Sequence, residues 1–162
     1  MRQTMTVIVA FLLAGSFTQA LEHHDNRDDN TVLEFRTMVG NSGPFIGANN
    51  PIRDINAGGA PWMIAEGRGK LKQTGELRVR VRGLVLVATG MNPVAQFQSI
   101  VSCLTIDDDG NAAISNVSTG PFPATPTGDA DIEEALELPQ PCFAPLVFVT
   151  STGGAWFAVT GF

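Results

Sequence analysis

The chain of 162 residues has no tyrosine, two histidines and two cysteines. Zinc clusters are assembled from cysteine and histidine, and nucleophilic sites of the Ser-His-Asp or Cys-His kind need an imidazole beside the nucleophile. Both imidazoles, His23 and His24, sit in a polar stretch near the N-terminus, so neither chemistry is expected inside the folded body. Charge is also scarce, at 16% of residues against roughly 25% in an average soluble protein. Long apolar runs are missing. The longest, Met5 to Gly15, covers about 11 residues and falls short of the roughly 20 that span a bilayer.

That run has a reading of its own. Arg2 precedes it, and Ser16-Phe17-Thr18-Gln19-Ala20 follows with small residues where a signal peptidase cuts. Residues 1–20 therefore read as a cleaved secretory signal, and a secreted, extracellular protein starting at Leu21 is expected. Cleavage there leaves nine cations and sixteen acids, a net charge of −7, which does not suit a nucleic-acid binder. Cys103 and Cys142, an even pair in an oxidising compartment, are expected to form a disulfide. No cation or base adjoins either one to activate a thiolate. A start at Leu21-Glu22-His23 would also place an α-amine, two amides and an imidazole in one plane, a donor set that suits copper(II) or nickel(II).

Residues 21–31 are polar without an apolar period and read as a flexible tail, leaving 32–162 as a single domain. From Leu33 to Val39 apolar and polar residues alternate, predicting one strand with one buried face. Asn41 to Pro61 is rich in Gly, Asn and Pro and reads as a long loop, pinned by Phe45, Ile46, Ile52 and Ile55. Two runs flank the turn Gln73-Thr74-Gly75-Glu76: the first begins at Trp62 and has glycines at 67 and 69 that mark a bulge or close packing, and in the second Leu77, Val79 and Val81 alternate with Arg78, Arg80 and Arg82. Leu84-Val85-Leu86-Val87 is wholly apolar and reads as a central strand. Val94 to Ile106 and Ala112 to Ser118 flank the hairpin turn Asp107-Asp108-Asp109-Gly110-Asn111. That acidic turn lacks the calcium ligands an EF-hand wants at Thr105 and Asn116. Ala130 to Leu138 alternates as a strand, and Leu146–Val149 with Trp156–Val159 closes a hairpin across Gly153-Gly154. About eight strands and no convincing helix predict an all-β chain, an antiparallel β-sandwich with one disulfide. No cofactor motif is present and none is expected.

The charge layout is the most informative feature. Arg68, Lys70, Lys72, Arg78, Arg80 and Arg82 alternate with apolar residues, so each run places its cations on one face. Residues 66–82 hold six cations and two acids, a net +4, while the rest of the chain after Leu21 holds three cations and fourteen acids, a net −11. Like charges across a strand pair are unfavourable. Either a neighbouring acidic strand carrying Asp131, Glu133 and Glu137 compensates them, or the patch takes an anionic extracellular glycan or protein. A binding or structural module is the expected function; the alternative is a small extracellular hydrolase acting through carboxylates such as Asp131 and Glu133, or Glu66 or Glu134 with a raised pKa.

Three segments also carry a resemblance: Phe35-Arg36-Thr37-Met38-Val39-Gly40 leading to Gly43-Pro44-Phe45; Pro61-Trp62 followed by Gly75-x-Leu77-x-Val79-x-Val81-x-Gly83-Leu84; and Leu138-Pro139-x-Pro141-Cys142-Phe143-Ala144-Pro145. Together they resemble a group of small exported β-domain proteins, mostly bacterial, that is known as uncharacterised. The resemblance implies export, one β domain and a Cys pair, and no activity. The Gly-x-Leu-x-Val-x-Val-x-Gly-Leu run is weakly similar to chordin-type repeat domains. Those carry a His-containing segment soon after, and Val85 to Val94 has no His.

Overall fold

The computed structural model describes residues 30–160. The strands, in chain order, are β1 (Thr31–Phe35), β2 (Met38–Gly40), β3 (Trp62–Met63), β4 (Glu66–Lys72), β5 (Glu76–Arg82), β6 (Val85–Leu86), β7 (Gln96–Ile106), β8 (Ala112–Ser118), β9 (Phe122–Pro123), β10 (Ala130–Ala135), β11 (Phe143–Thr150) and β12 (Trp156–Thr160). One sheet runs β1-β4-β5-β10 and the other β2-β12-β11-β7-β8, with β9 paired to β7 and a small β3-β6 ribbon beside them. The strand pairs are antiparallel. Apart from one 3₁₀ turn at Gly43–Phe45, no helix occurs among the described residues, and none is long and apolar enough to cross a membrane. The expected all-β sandwich is the fold.

Period-two alternation builds the core. From the four-stranded sheet, Leu71, Leu77, Val79, Val81 and Ile132 turn inward. They meet Phe97, Val101, Cys103, Val147 and Val149 of the other sheet in one cluster. Gly67 and Gly69 mark close packing: Met38 occupies the space where a Cβ on Gly67 would lie, and the Phe35 ring occupies that of Gly69. Trp62 stacks on Phe157 with centroids 4.0 Å apart and meets Phe97 edge-on at 6.4 Å. Asn41, fully buried, holds this corner. Its Nδ2 donates to the Gly58 carbonyl and its Oδ1 accepts from the Trp62 amide, so three segments share one amide side chain.

Cys103 and Cys142 are bonded, with Cα atoms 5.0 Å apart. The bond ties β7 to the chain entering β11, its neighbour in the same sheet. Intact-mass measurement of unreduced protein is expected to show no alkylation, and two alkylated thiols after reduction; two alkylatable thiols without reduction would overturn the pairing.

Three expectations are corrected. The single strand over 33–39 is two strands in different sheets. The chain leaves β1 after Phe35, crosses at Arg36-Thr37 and joins β12 as β2. The crossing shifts the alternation by one, so Met38 is buried and Val39 is 57% exposed. The apolar run 84–87 is no central strand either. Leu84 is buried where its amide bonds the Gly128 carbonyl, only Val85–Leu86 pair, with Met63 and Trp62, and Val87 is exposed. The loop before Trp62 does more than connect. Ile55 and Ala57 pack with Ile100, Phe148 and Trp156 in a second cluster on the outer face of the larger sheet. Phe45 is exposed, so it is not one of the loop's anchors.

Candidate functional site

The β4-β5 hairpin sets the geometry of the charged face. Register pairs Arg68 with Arg80, Lys70 with Arg78 and Glu66 with Arg82. On the flanks, Glu34 of β1 lies opposite Lys70, while Asp131 and Glu133 of β10 lie opposite Arg80 and Arg78. All six predicted cations therefore share the outer face of the four-stranded sheet, with the apolar residues of the same strands buried behind them. One full row reads Glu34–Lys70–Arg78–Glu133, two acids enclosing two cations. A groove of about 790 Å³ runs over this face, lined by Glu34, Arg36, Arg68, Arg80, Asp131 and Glu133 among others.

Most of the cations are compensated. Arg82 makes a two-pronged contact to Asp131, both N–O distances 2.9 Å, and also donates to the Ala130 carbonyl. The Asp131 hydrogen bond raises the Arg82 pKa above its ordinary value, against the opposing effect of burial. Arg78 bridges Glu76 at 3.0 Å and Glu133 at 2.8 Å. Lys72 contacts Glu76 at 2.8 Å, a hydrogen bond that holds the Glu76 carboxyl below the usual carboxylate range, with the charges of Lys72 and Arg78 adding to it. Arg68 contacts Glu66 at 3.1 Å. The expected compensation by β10 is thus supplied by Asp131 and Glu133. Glu137 makes no ion pair among the described residues. The acids not anticipated, Glu66 and Glu76, come from the basic strands themselves, while Glu34 of the neighbouring β1 faces Lys70 and pairs with Arg36 at 3.6 Å. Glu66 and Glu76 share the even numbering of the cations, and that parity was their signal.

Arg80 is the exception. It lies mid-face between Arg68 and Asp131, yet Asp131 turns to Arg82, and Arg80 makes no ion pair among the described residues. Opposite residues of an antiparallel pair have Cα atoms about 5 Å apart, so two guanidinium-bearing strands face each other at mid-groove.

The other candidates are placed elsewhere. Glu134 is half-buried, and its Oε2 accepts from the Gly120 amide at 2.8 Å, tying β10 to the chain after β8. The Asp107 carboxylate accepts from the amides of Asp109 and Asn111, which closes the β7-β8 hairpin on itself. Leu21, Glu22 and His23, and the secretory signal before them, lie outside the described residues. No group of three His, Cys, Asp or Glu side chains is placed to hold a metal ion among the described residues. No protein-family model, curated protein or solved structure matches the chain.

Proposed function

We propose that the protein is an exported binding module whose groove takes an acidic extracellular glycan. The observation that carries this reading is Arg80, a cation without a carboxylate partner among the described residues, directly opposite Arg68. Two like charges in register destabilise a strand pair, and a carboxylate or sulfate held between them turns that cost into two charge-assisted hydrogen bonds. The flanking carboxylates of Glu34 and Glu133, held by Arg36 and Arg78, keep lone pairs that can accept from sugar hydroxyls on either side. A groove offering both guanidinium donors and carboxylate acceptors fits a chain of uronic acids better than a uniformly charged polymer. The alternative, a carboxylate-dependent hydrolase, has less support: Asp131 and Glu133 are engaged by Arg82 and Arg78, and Glu134 by the Gly120 amide.

Calorimetric titration tests the reading with uronic-acid oligosaccharides and with neutral oligosaccharides of the same linkage. The acidic series is expected to bind and the neutral one not. Arg80→Ala is expected to weaken binding at least ~10-fold, the loss of one charge-assisted hydrogen bond, and added salt to weaken it further. Equal binding of the neutral series, or unchanged affinity in Arg80→Ala, would refute the proposal.

A further inference from the structure

A different face carries a second inference, independent of the groove. β8 ends the strand order of the larger sheet among the described residues, and its hydrogen-bonding pattern follows from its register. Ile100 to Ile106 pair in order with Ser118 to Ala112. The same register continues at both ends, where the Asp107 amide donates to Asn111 and the Thr119 amide to Ser99, each at 2.9 Å. Bonded and non-bonded pairs alternate in an antiparallel ladder, so the bonded pairs between those ends are Val101–Val117, Cys103–Ser115 and Thr105–Ala113. Ala112, Ile114, Asn116 and Ser118 therefore direct their backbone N–H and C=O groups away from β7, along the free edge.

Such an edge is a template for another strand, and proteins usually blunt it with charge, proline or brevity. The other sheet edges have those protections: β2 is three residues long, β1 carries Glu34, and β10 carries Asp131, Glu133 and Glu134. β8 has seven residues, Ala-Ala-Ile-Ser-Asn-Val-Ser, with no charge and no proline. An apolar row also runs to this edge and stops there. Phe143, Leu104 and Ile114 lie opposite one another across β11, β7 and β8, 57%, 41% and 42% exposed.

We infer that β8 pairs antiparallel with β8 of a second copy of this chain, about a two-fold axis at Ile114. Ile114 then faces its own copy as a hydrogen-bonded pair, and Ala112 faces the second copy's Asn116. Every bonded pair in this register joins residues with outward N–H and C=O groups, and Ala113 faces the second copy's Ser115 as a non-bonded pair. The apolar row continues through Ile114 into the same row of the second copy, with a β-branched pair at its centre. A second copy is the occupant because the strand is neutral in a chain of net charge −6. Joined here, two copies bring no like charges into register, whereas β1 and β10 would oppose carboxylates.

Light scattering on the eluting full chain is expected to give the mass of two chains. Ile114→Lys places a charge against its own copy and is expected to shift the mass to one chain, with an unchanged circular dichroism spectrum. Val39→Lys, on the exposed face of β2 at the far edge, is expected to leave the dimer intact. Residue-resolved amide exchange supplies the second readout. In the dimer the amides of Ile114 and Asn116 are protected alongside those of Ala113, Ser115 and Val117, and in Ile114→Lys position 114 and Asn116 lose protection while the odd-numbered three keep it. A monomeric parent chain overturns the inference, and so does a dimer in which the amides of Ile114 and Asn116 exchange freely.

Discussion

Val79→Asp is expected to destabilise the protein by about 4 kcal/mol or more, the loss seen when an unpaired charge is buried. Val79 lies in β5, an interior strand, 3% exposed, between Gly69 on β4 and Ile132 on β10. Gly69 offers no polar side chain and Ile132 none that can bond, so a carboxylate at 79 has neither water nor partner. The loss is a large part of the roughly 5–15 kcal/mol that holds a domain folded. One residue along the same strand the expectation reverses. Arg80 faces the groove opposite Arg68 without an ion pair among the described residues, and Arg80→Ala is expected to change stability by under about 1 kcal/mol, the relief of like-charge repulsion offsetting the packing lost. Chemical denaturation of the two variants beside the parent checks both, and equal losses would show that β5 does not present these faces.

Removing the disulfide has the next largest expected effect. Cys103 and Cys142 stand 39 positions apart, and releasing a loop of that size frees the unfolded chain by about 4 kcal/mol in the loop-entropy account. The double variant Cys103→Ala and Cys142→Ala is expected to lose that amount and slightly more. Cys103 is fully buried, and alanine there also gives up part of its packing against the core. Matched melts of oxidised protein, reduced protein and the double variant separate the two contributions. The reduced protein loses the cross-link alone, and the variant loses slightly more. A double variant as stable as the oxidised parent would show that the cross-link adds nothing to the fold.

Much of the sandwich was legible in the sequence wherever a strand is buried on one face only. β4, β5 and β10 show it: their cations and acids alternate with Leu71, Leu77, Val79, Val81 and Ile132, and the facing follows from parity alone. The β1-β2 crossing was not legible, because Leu33, Phe35, Thr37 and Val39 keep the appearance of one period while the chain changes sheets at Arg36-Thr37. Only the partners, β4 for the first part and β12 for the second, reveal that Met38 and not Val39 is the inward residue. Leu84 misled for the opposite reason. A residue can be buried at a corner, its amide bonded to Gly128, without belonging to a strand. The second cluster on the outer face rests on Ile55 and Ala57, whose segment has no period to read. At the charged face the six cations and two of their acids were legible. That Asp131 chooses Arg82 over the Arg80 it faces was not, since diagonal reach depends on side-chain conformation.

The acid–base rows on the four-stranded sheet have a consequence for how the molecule meets its surroundings. With Arg36 counted, this face gathers seven of the eight cations and five of the twelve acids among the described residues, which leaves one cation and seven acids elsewhere in them. Positive and negative charge therefore have different centres, and the molecule carries a permanent dipole whose positive end leaves through the groove. Near a negatively charged surface the net charge repels the body while the field turns this face toward the surface, over a distance of about 8–10 Å at ordinary salt. Approach is then slow but oriented: the encounters that do occur bring Arg80 forward.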